Sequence, residues 1–301
     1  METKNIKKIS AKETRSRFNV LGIILLVFLV LYTISLFVPI LWAVVSAFKS
    51  ASEFRTNIIG LPKKWVWNFS NVFKMFVVRI STPEGRKAIG MGMMYVNSIM
   101  YAVGCSFFHT LCICITSYAC ARFNFKLSGV IRTMVIILMI LPIVGNLPSE
   151  IRMARLLHIY NQVWGLWIMK ANFLGMYFLV FFAMFRSLPM TYTEAAKVDG
   201  AGNFRIMVQI ILPLVKYTFF TIMLINFITY WNDYQVPLIY LPSWPTIAYG
   251  MYSMTTTNEN GMSSVPMRMT GAIMMLAPIL LVFTVFQKRL LGNLTMGGIK
   301  G

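Results

Sequence analysis

The sequence predicts an all-α, polytopic membrane protein, and three observations carry this prediction. Of the 301 residues, 57% are hydrophobic and only 12% are charged, which is about half the charged share of an ordinary soluble domain. Residues 18–48 and 88–121 contain no side chain with a fixed charge, and about 20 apolar residues are enough for a helix to cross a bilayer. All nine acidic residues fall outside the predicted membrane spans.

Six membrane-spanning helices are predicted within a single membrane domain at residues 18–301. They lie at about residues 18–48, 90–121, 131–149, 163–186, 214–232 and 269–287. Residues 1–17 form a basic tail, and cytoplasmic segments of membrane proteins are enriched in Lys and Arg. Both termini are therefore expected on the cytoplasmic side. The first span exceeds the 7–15 apolar residues of a signal peptide, so we expect it to be retained.

The loop at residues 49–87 runs against the charge rule. It is expected outside, yet it carries eight of the 28 basic residues in a chain of net charge +19. Two interpretations stay open. Either the predicted orientation is in error, or the loop is helical and lies along the lipid headgroups with Trp65 and Trp67 as interfacial anchors.

A polar, helix-prone segment interrupts the apolar chain at residues 187–213. Thr191 or Thr193 is expected to cap a short helix, because a threonine oxygen accepts a hydrogen bond from a first-turn amide. Asp199-Gly200 predicts a turn, since glycine adopts positive φ without strain. A second short helix is expected to end at Pro213. The small Ala195 and Ala196 side chains let a partner's backbone approach, which favours docking into a groove of another protein.

The spacing of this segment resembles the cytoplasmic loop signature of permeases from ABC importers. That signature is E-A-A, three residues, G, nine residues, then I-x-L-P, and it is filled here by Glu194, Ala195, Ala196, Gly200, Ile210, Leu212 and Pro213. Other matching stretches cover most of the chain: Asn97-Ser98, residues 118–123 (YACARF), Trp231-Asn232-Asp233 and residues 297–301 (GGIKG). Together they are similar to the maltose-type carbohydrate permeases, in their shorter six-helix subunit.

This resemblance implies a type I importer permease fold in the bacterial cytoplasmic membrane. It implies a heterodimer with a second permease, two copies of a cytoplasmic ATPase that holds the ATP, and an extracytoplasmic sugar-binding protein. The seven signature residues would dock the ATPase, and residues 49–87 and 233–267 would face the binding protein. The chain itself would bind no cofactor and would have lipid as its remaining partner.

The chemistry missing from the sequence agrees with this interpretation. No G-x-x-x-x-G-K-[ST] loop occurs, so the chain alone is not expected to cradle nucleotide phosphates. Ion-coupled carriers usually carry carboxylates inside their spans, and none is predicted here. No catalytic triad or carboxylate pair is found in the sequence. The long apolar runs disfavour nucleic-acid binding. The cysteines and histidines are interpreted as packing residues rather than metal ligands.

Four residues are candidates for a substrate path, each with an alternative. Lys170 interrupts an apolar span and would either face a water-filled interior or extend to the outer headgroups. Trp231, Asn232 and Asp233 end the fifth span, where they would either touch a sugar or form an interfacial helix end. His109 is expected to be a hydrogen-bonded interior residue, with a pore-facing position as the alternative.

Three other functions remain as alternatives. The first is an ABC permease for another solute, such as a polyamine, phosphate or a peptide, because the E-A-A signature is shared. The second is an ion-coupled carrier, which the missing intramembrane carboxylates disfavour. The third is a membrane enzyme or receptor scaffold, for which no catalytic group or soluble domain is found.

Overall fold

The computed structural model describes residues 20–82, 85–123, 125–141, 145–256 and 263–294. The basic tail and the motif at residues 297–301 lie outside the described residues. In chain order the elements are α1 (Val20–Ala47), α2 (Ala51–Thr56), α3 (Asn68–Met75), β1 (Val77–Thr82), β2 (Gly85–Gly90), α4 (Met91–Arg122), α5 (Leu127–Ile140), α6 (Leu147–Leu156), α7 (Val163–Lys170), α8 (Met176–Ser187), α9 (Thr191–Val198), α10 (Asn203–Ile206), a π-helical turn (Met207–Ile211), α11 (Leu212–Asn232), α12 (Gln235–Tyr240), α13 (Ile247–Thr256) and α14 (Val265–Leu294).

Among the described residues, four helices are long and apolar enough to cross a membrane. They are α1, α4, the continuous helix Asn203–Asn232 and the part of α14 from Val265 to Gln287. Most side chains of α1 are exposed along its length, and it packs against α14. An apolar helix exposed in this way is suited to lipid tails rather than water. The predicted helical, polytopic architecture is therefore confirmed.

The third and fourth predicted spans are each divided in the structure. Residues 163–186 form α7 and α8, separated at Asn172, whose Oδ1 accepts a hydrogen bond from the Leu174 amide at 3.2 Å. Gly175 follows with φ of +133°, which is outside the conformations that other residues adopt readily. Similarly, α5 begins at Leu127 rather than at residue 131, and α6 is a separate helix that starts beyond Gly145, whose φ is +85°.

The first loop, for which a helical segment along the headgroups was one interpretation, folds into the short helices α2 and α3 and an antiparallel hairpin. In the hairpin, Val78 pairs with Ile89, and both side chains are buried. They belong to a hydrophobic cluster, here called the loop-end cluster, that also contains Tyr240 and Ile247 from the second predicted outer loop. The two loops expected outside therefore pack together at one end of the molecule.

A second hydrophobic cluster, here called the coupling-end cluster, lies at the other end of α4. Its buried residues are Ile113, Cys114, Tyr118, Cys120, Val135, Phe178, Phe181, Phe185, Ala196, Ile206, Ile211, Val215, Phe219 and Ile222. The helix α4 contributes to both clusters and packs against α7, α8 and α11. With 32 residues, at about 1.5 Å per residue, α4 links the two ends through one rigid element.

Candidate functional site

The E-A-A helix, α9, begins without the predicted threonine cap. Met190 occupies the position before the helix and makes no side-chain cap, while Thr191 and Thr193 already lie in the first turn. A capping side chain must precede the first turn in order to reach its amides. The prediction that a threonine caps α9 is therefore wrong, and Thr193 is buried on the packed side instead.

Gly200 closes α9 in the way that the Asp199-Gly200 pair predicts. The Gly200 amide donates to the Lys197 carbonyl at 3.0 Å, and the Ala201 amide donates to the Ala196 carbonyl at 2.9 Å. These two hydrogen bonds are those of a Schellman motif. Gly200 has φ of +76°, and this left-handed conformation is the one that favours glycine. The turn directs the chain from α9 into α10.

The seven signature residues divide into an exposed face and a packed face. Glu194, Ala195, Gly200 and Pro213 are exposed, whereas Ala196 is buried against the coupling-end cluster. Ile210 and Leu212 are half-buried and pack against the same cluster. The signature therefore contains two kinds of residue. Some pack against the core and fix the position of the segment, and the others are exposed and available to a partner.

Pro213 does not end the second helix, contrary to the prediction. It lies in the first turn of α11, within an unbroken helix from Asn203 to Asn232. Proline has no amide hydrogen, and its ring crowds the carbonyl four residues earlier. The π-helical turn Met207–Ile211 immediately precedes it, and the Leu212 amide donates to the Met207 carbonyl, five residues back. This wider turn lets the helix continue through the proline.

Arg122, at the end of α4, holds the chain that leads into α9. Its Nη2 donates to the Leu188 carbonyl at 2.9 Å. In the same motif, the Tyr118 ring packs edge-on against Phe185 of α8, with ring centroids 5.4 Å apart. The Y-A-C-A-R-F stretch therefore joins α4 to the segment between α8 and α9.

Replacing Arg122 should loosen this junction. We expect Arg122→Met to lower stability by about 1–3 kcal/mol, because a hydrogen bond from a charged donor is lost and the Leu188 carbonyl is left unpaired. Thermal unfolding of the detergent-solubilised chain measures the change. Lys126→Met is the matched control, since Lys126 is an exposed cation just beyond the same helix end. Equal melting temperatures for the two variants would contradict the role of Arg122.

Two exposed apolar side chains beside the signature were missed by the sequence analysis. Val198, the last residue of α9, is 88% exposed, and Phe204 in α10 is 75% exposed. Each lies on the opposite side of its helix from a buried residue, because Ala196 and Ile206 face the coupling-end cluster. The residue pattern alone gave no signal, since both occupy signature positions where any residue is allowed. Together with Glu194, Ala195 and Gly200, they form what is called below the coupling face.

The candidate substrate-path residues do not share one environment. Trp231 is buried, and its Nε1 donates to the Met275 carbonyl of α14 at 3.1 Å. Asp233 accepts a hydrogen bond from Tyr101 at 2.8 Å through Oδ2, and its Oδ1 accepts from the first two amides of α12, those of Gln235 and Val236. These contacts tie helices together.

Asn232 and Lys170 are more accessible than Trp231. Asn232 is exposed and lines a cavity of about 510 Å³ between α11, α13 and α14. Tyr234 and Tyr252 stack in the same cavity, with ring centroids 4.5 Å apart. Lys170 is half-buried at the end of α7, beside the break before α8. Asn232 and Trp231, although adjacent in sequence, therefore lie in different surroundings: Asn232 faces the cavity, and Trp231 is buried between helices.

His109 is a hydrogen-bonded interior residue, as expected. Its Nδ1 lies 2.9 Å from the Tyr230 hydroxyl, and the two rings are in contact. Within the described part of the chain, no group of three or more His, Cys, Asp or Glu side chains could hold a metal ion. All four cysteines are free thiols in α4.

The family of the chain follows from the segment that contains this site. The family model described as "binding-protein-dependent transport system inner membrane component" matches residues 113–294. The chain belongs to this family. Its match begins in the coupling-end half of α4 and includes α9, the Gly200 turn and α11. As an inner membrane component, the chain is a translocation subunit of a transport system rather than an enzyme.

Curated relatives of this inner membrane component match it over most of its length. The diacetylchitobiose uptake system permease protein NgcG of Streptomyces coelicolor is 25% identical over 275 residues, covering 89% of this chain and 86% of NgcG. The maltodextrin transport system permease protein MalD of Streptococcus pneumoniae is 28% identical over 281 residues, covering 91% and 94% of the two chains.

A solved structure shares the fold of the inner membrane component. It is a chain of a bacterial ABC transporter involved in the import of the acidic polysaccharide alginate, with a TM-score of 0.75 and 22% sequence identity. The match covers 91% of this chain and 98% of that one. The two chains therefore have the same overall architecture.

Proposed function

We propose that this chain conducts a sugar or oligosaccharide as one permease of an ATP-driven importer, and that cytoplasmic ATPase subunits drive it through the coupling face. The relatives named for maltodextrin and diacetylchitobiose support a carbohydrate solute. A second permease and an extracytoplasmic binding protein would complete the assembly.

The observation that carries this proposal is the construction of α9. Its Ala196 side is packed on the coupling-end cluster, and its Glu194, Ala195 and Val198 side is exposed. A short amphipathic helix is suited to a groove on a partner when one side packs against its own protein core and the other side exposes small and apolar side chains. Glu194 lies in the first turn, where a negative charge is favoured by the helix dipole.

The connections of α9 favour transmission of movement as a rigid unit. Arg122 ties its start to α4, and the Gly200 turn joins its end to the helix that continues through Pro213. The helices α4 and α11 are joined again at the loop end, where Tyr101 donates to Asp233. A displacement of α9 by the ATPase would therefore move both helices together rather than deform a flexible loop.

We further propose six crossings with both termini in the cytoplasm. The crossings would be α1, α4, α5, the broken pair α7–α8, the helix from Asn203 to Asn232, and α14. In support, the two predicted outer loops share the loop-end cluster, while the E-A-A segment packs on the opposite cluster. The break between α7 and α8 would be buried in protein or would line a water-filled cavity, because non-helical backbone is tolerated at membrane depth only in those two settings.

Affinity purification of the tagged chain from its native membrane, with mild cross-linking, tests the assembly. We expect an ATPase subunit and a second permease to co-purify with the wild type. Glu194→Ala should retain the second permease and lose most of the ATPase. Absence of any ATPase from the wild-type sample would refute the proposed coupling.

Uptake by proteoliposomes containing the purified assembly then identifies the solute class. Labelled maltodextrins, chitooligosaccharides, a polyamine and a peptide are compared, each with ATP enclosed and the binding protein outside. ATP-dependent uptake of a non-carbohydrate alone would leave the coupling proposal intact and overturn the sugar assignment.

A further inference from the structure

The segment after α1 turns back along that helix. The Trp42 Nε1 donates to the Ile58 carbonyl at 3.0 Å. Trp42 lies five positions before the last residue of α1, Ala47, which corresponds to about 7.5 Å along the helix axis. Side chains of a helix also lean toward its N-terminus. Ile58 therefore lies beside the lipid-facing surface of α1, short of the point where that helix ends.

Residues 58–67, here called the interface loop, expose apolar side chains next to cations. Ile59 is 84% exposed, and the other large exposed apolar residues of the loop are Ile58, Leu61, Trp65 and Trp67. Lys63 and Lys64 are exposed between them. Aromatic and aliphatic side chains mixed with lysines are typical of segments that lie at the boundary between acyl chains and headgroups.

The polar backbone at the start of the interface loop is paired by a buried lysine. Lys49 has no exposed surface, and its Nζ donates to the carbonyls of Asn57 and Ile58 at 2.8 and 3.2 Å. The Asn57 side-chain amide donates to the Leu61 carbonyl at 2.8 Å. Water would satisfy these carbonyls on an ordinary surface loop, whereas in lipid each unpaired backbone group costs free energy. The pairing therefore suits a loop that leaves water.

We infer that the interface loop inserts into the lipid leaflet at the loop end of the molecule, with Lys63 and Lys64 on anionic headgroup phosphates. The hydrogen bond from Trp42 holds the start of the loop beside α1, and the cations of the loop complement the negative charge of phosphatidylglycerol-type lipids. This assigns a role to part of the basic excess of residues 49–87. The inference rests on the membrane location of the chain and holds for any transported solute.

A fluorescent probe at residue 59 tests the insertion. The full-length chain carrying Ile59→Cys is labelled with the dye NBD and reconstituted into phosphatidylcholine vesicles, with or without phosphatidylglycerol. We expect several-fold stronger quenching by lipids with a doxyl group near the headgroup than by aqueous iodide. The wild-type chain, with its four native cysteines, gives the background.

Ala88→Cys is the matched control, because Ala88 is exposed on β2 at the same end of the molecule. Its probe should be quenched mainly by iodide. Adding Lys63→Gln and Lys64→Gln should remove the extra lipid quenching that phosphatidylglycerol gives at residue 59. Lys49→Met should raise iodide quenching at residue 59, since the Asn57 carbonyl loses its donor and the Ile58 carbonyl keeps only Trp42 as a donor.

Iodide quenching at residue 59 as strong as at residue 88 would overturn the inference. If that quenching disappeared only when the binding protein was added, the loop would be a protein-docking surface instead. Because the decisive comparison uses an otherwise wild-type chain, a folding defect in Lys49→Met would not affect it.

Discussion

The Gly200→Asp variant is expected to reach the membrane in wild-type amounts and to lose ATP-driven uptake by more than about 100-fold. Two effects combine at this position. The left-handed conformation costs most residues other than glycine about 1–2 kcal/mol, and Gly200 has φ of +76°. Aspartate tolerates this conformation better than most residues, so backbone strain is the smaller of the two effects. The new carboxylate would also lie on the coupling face, where burying an unpaired charge against the ATPase costs several kcal/mol.

Two matched variants separate these effects. Gly200→Asn should keep most of the uptake, because asparagine tolerates the left-handed conformation and brings no charge. Apart from the glycine itself and its two chain neighbours, no heavy atom lies within 4 Å of a Cβ added at Gly200 or at Gly202. Gly202→Asp should be nearly neutral, since Gly202 has an ordinary φ of −70° and precedes α10, a position where aspartate is favoured. Full uptake by Gly200→Asp would contradict the proposed role of the turn.

Gly200 could be predicted from the sequence because its conformation depends on local chemistry. An aspartate and glycine after a helix-prone run indicate a turn, whatever the rest of the fold does. The exposure of Glu194 and Ala195 was also predictable, since a charged residue beside two small ones offers little to a core. The same reasoning misplaced the cap of α9, because the start of that helix depends on its tertiary contacts.

Pro213 shows where local chemistry is insufficient. A proline normally ends a helix, and only the π-helical turn before it allows α11 to continue. Nothing in the residue types of Met207–Ile211 marks that turn. The division of the fourth span was missed for the opposite reason. Asn172 and Gly175 favour a turn, but the apolar composition of residues 163–186 was given more weight, and an unbroken span was predicted.

Val198 was missed for a third reason, which concerns the interface rather than the fold. A valine in a mostly apolar chain is normally interpreted as a packing residue, and only the structure shows that it is a highly exposed member of the coupling face. Exposed apolar side chains that cluster on one surface of a protein usually mark an interaction site. In the proposed docking, the ATPase would therefore make a hydrophobic contact with Val198 next to its contact with the charge of Glu194.

The Val198→Asp variant is accordingly expected to bind the ATPase at least about 100-fold more weakly while folding normally. Burial of a valine side chain stabilises an interface by about 1.5–3 kcal/mol, and the substituted carboxylate adds a desolvation cost. Because Val198 is 88% exposed in this chain, its replacement removes almost no internal packing. Titration of purified ATPase onto the permease in nanodiscs measures the Kd of each variant.

Leu127→Asp provides a control that introduces the same charge at another exposed apolar position of the coupling end. Leu127 is 62% exposed, and it begins α5 at the coupling end, where an aspartate in the first turn favours the helix. Val198→Leu should retain near-wild-type binding, since it keeps the apolar contact. If Val198→Asp and Leu127→Asp weakened binding equally, a general electrostatic effect would explain both, and Val198 would not belong to the docking surface. Loss confined to Val198→Asp would instead locate the contact at the end of α9, next to the Gly200 turn that orients it.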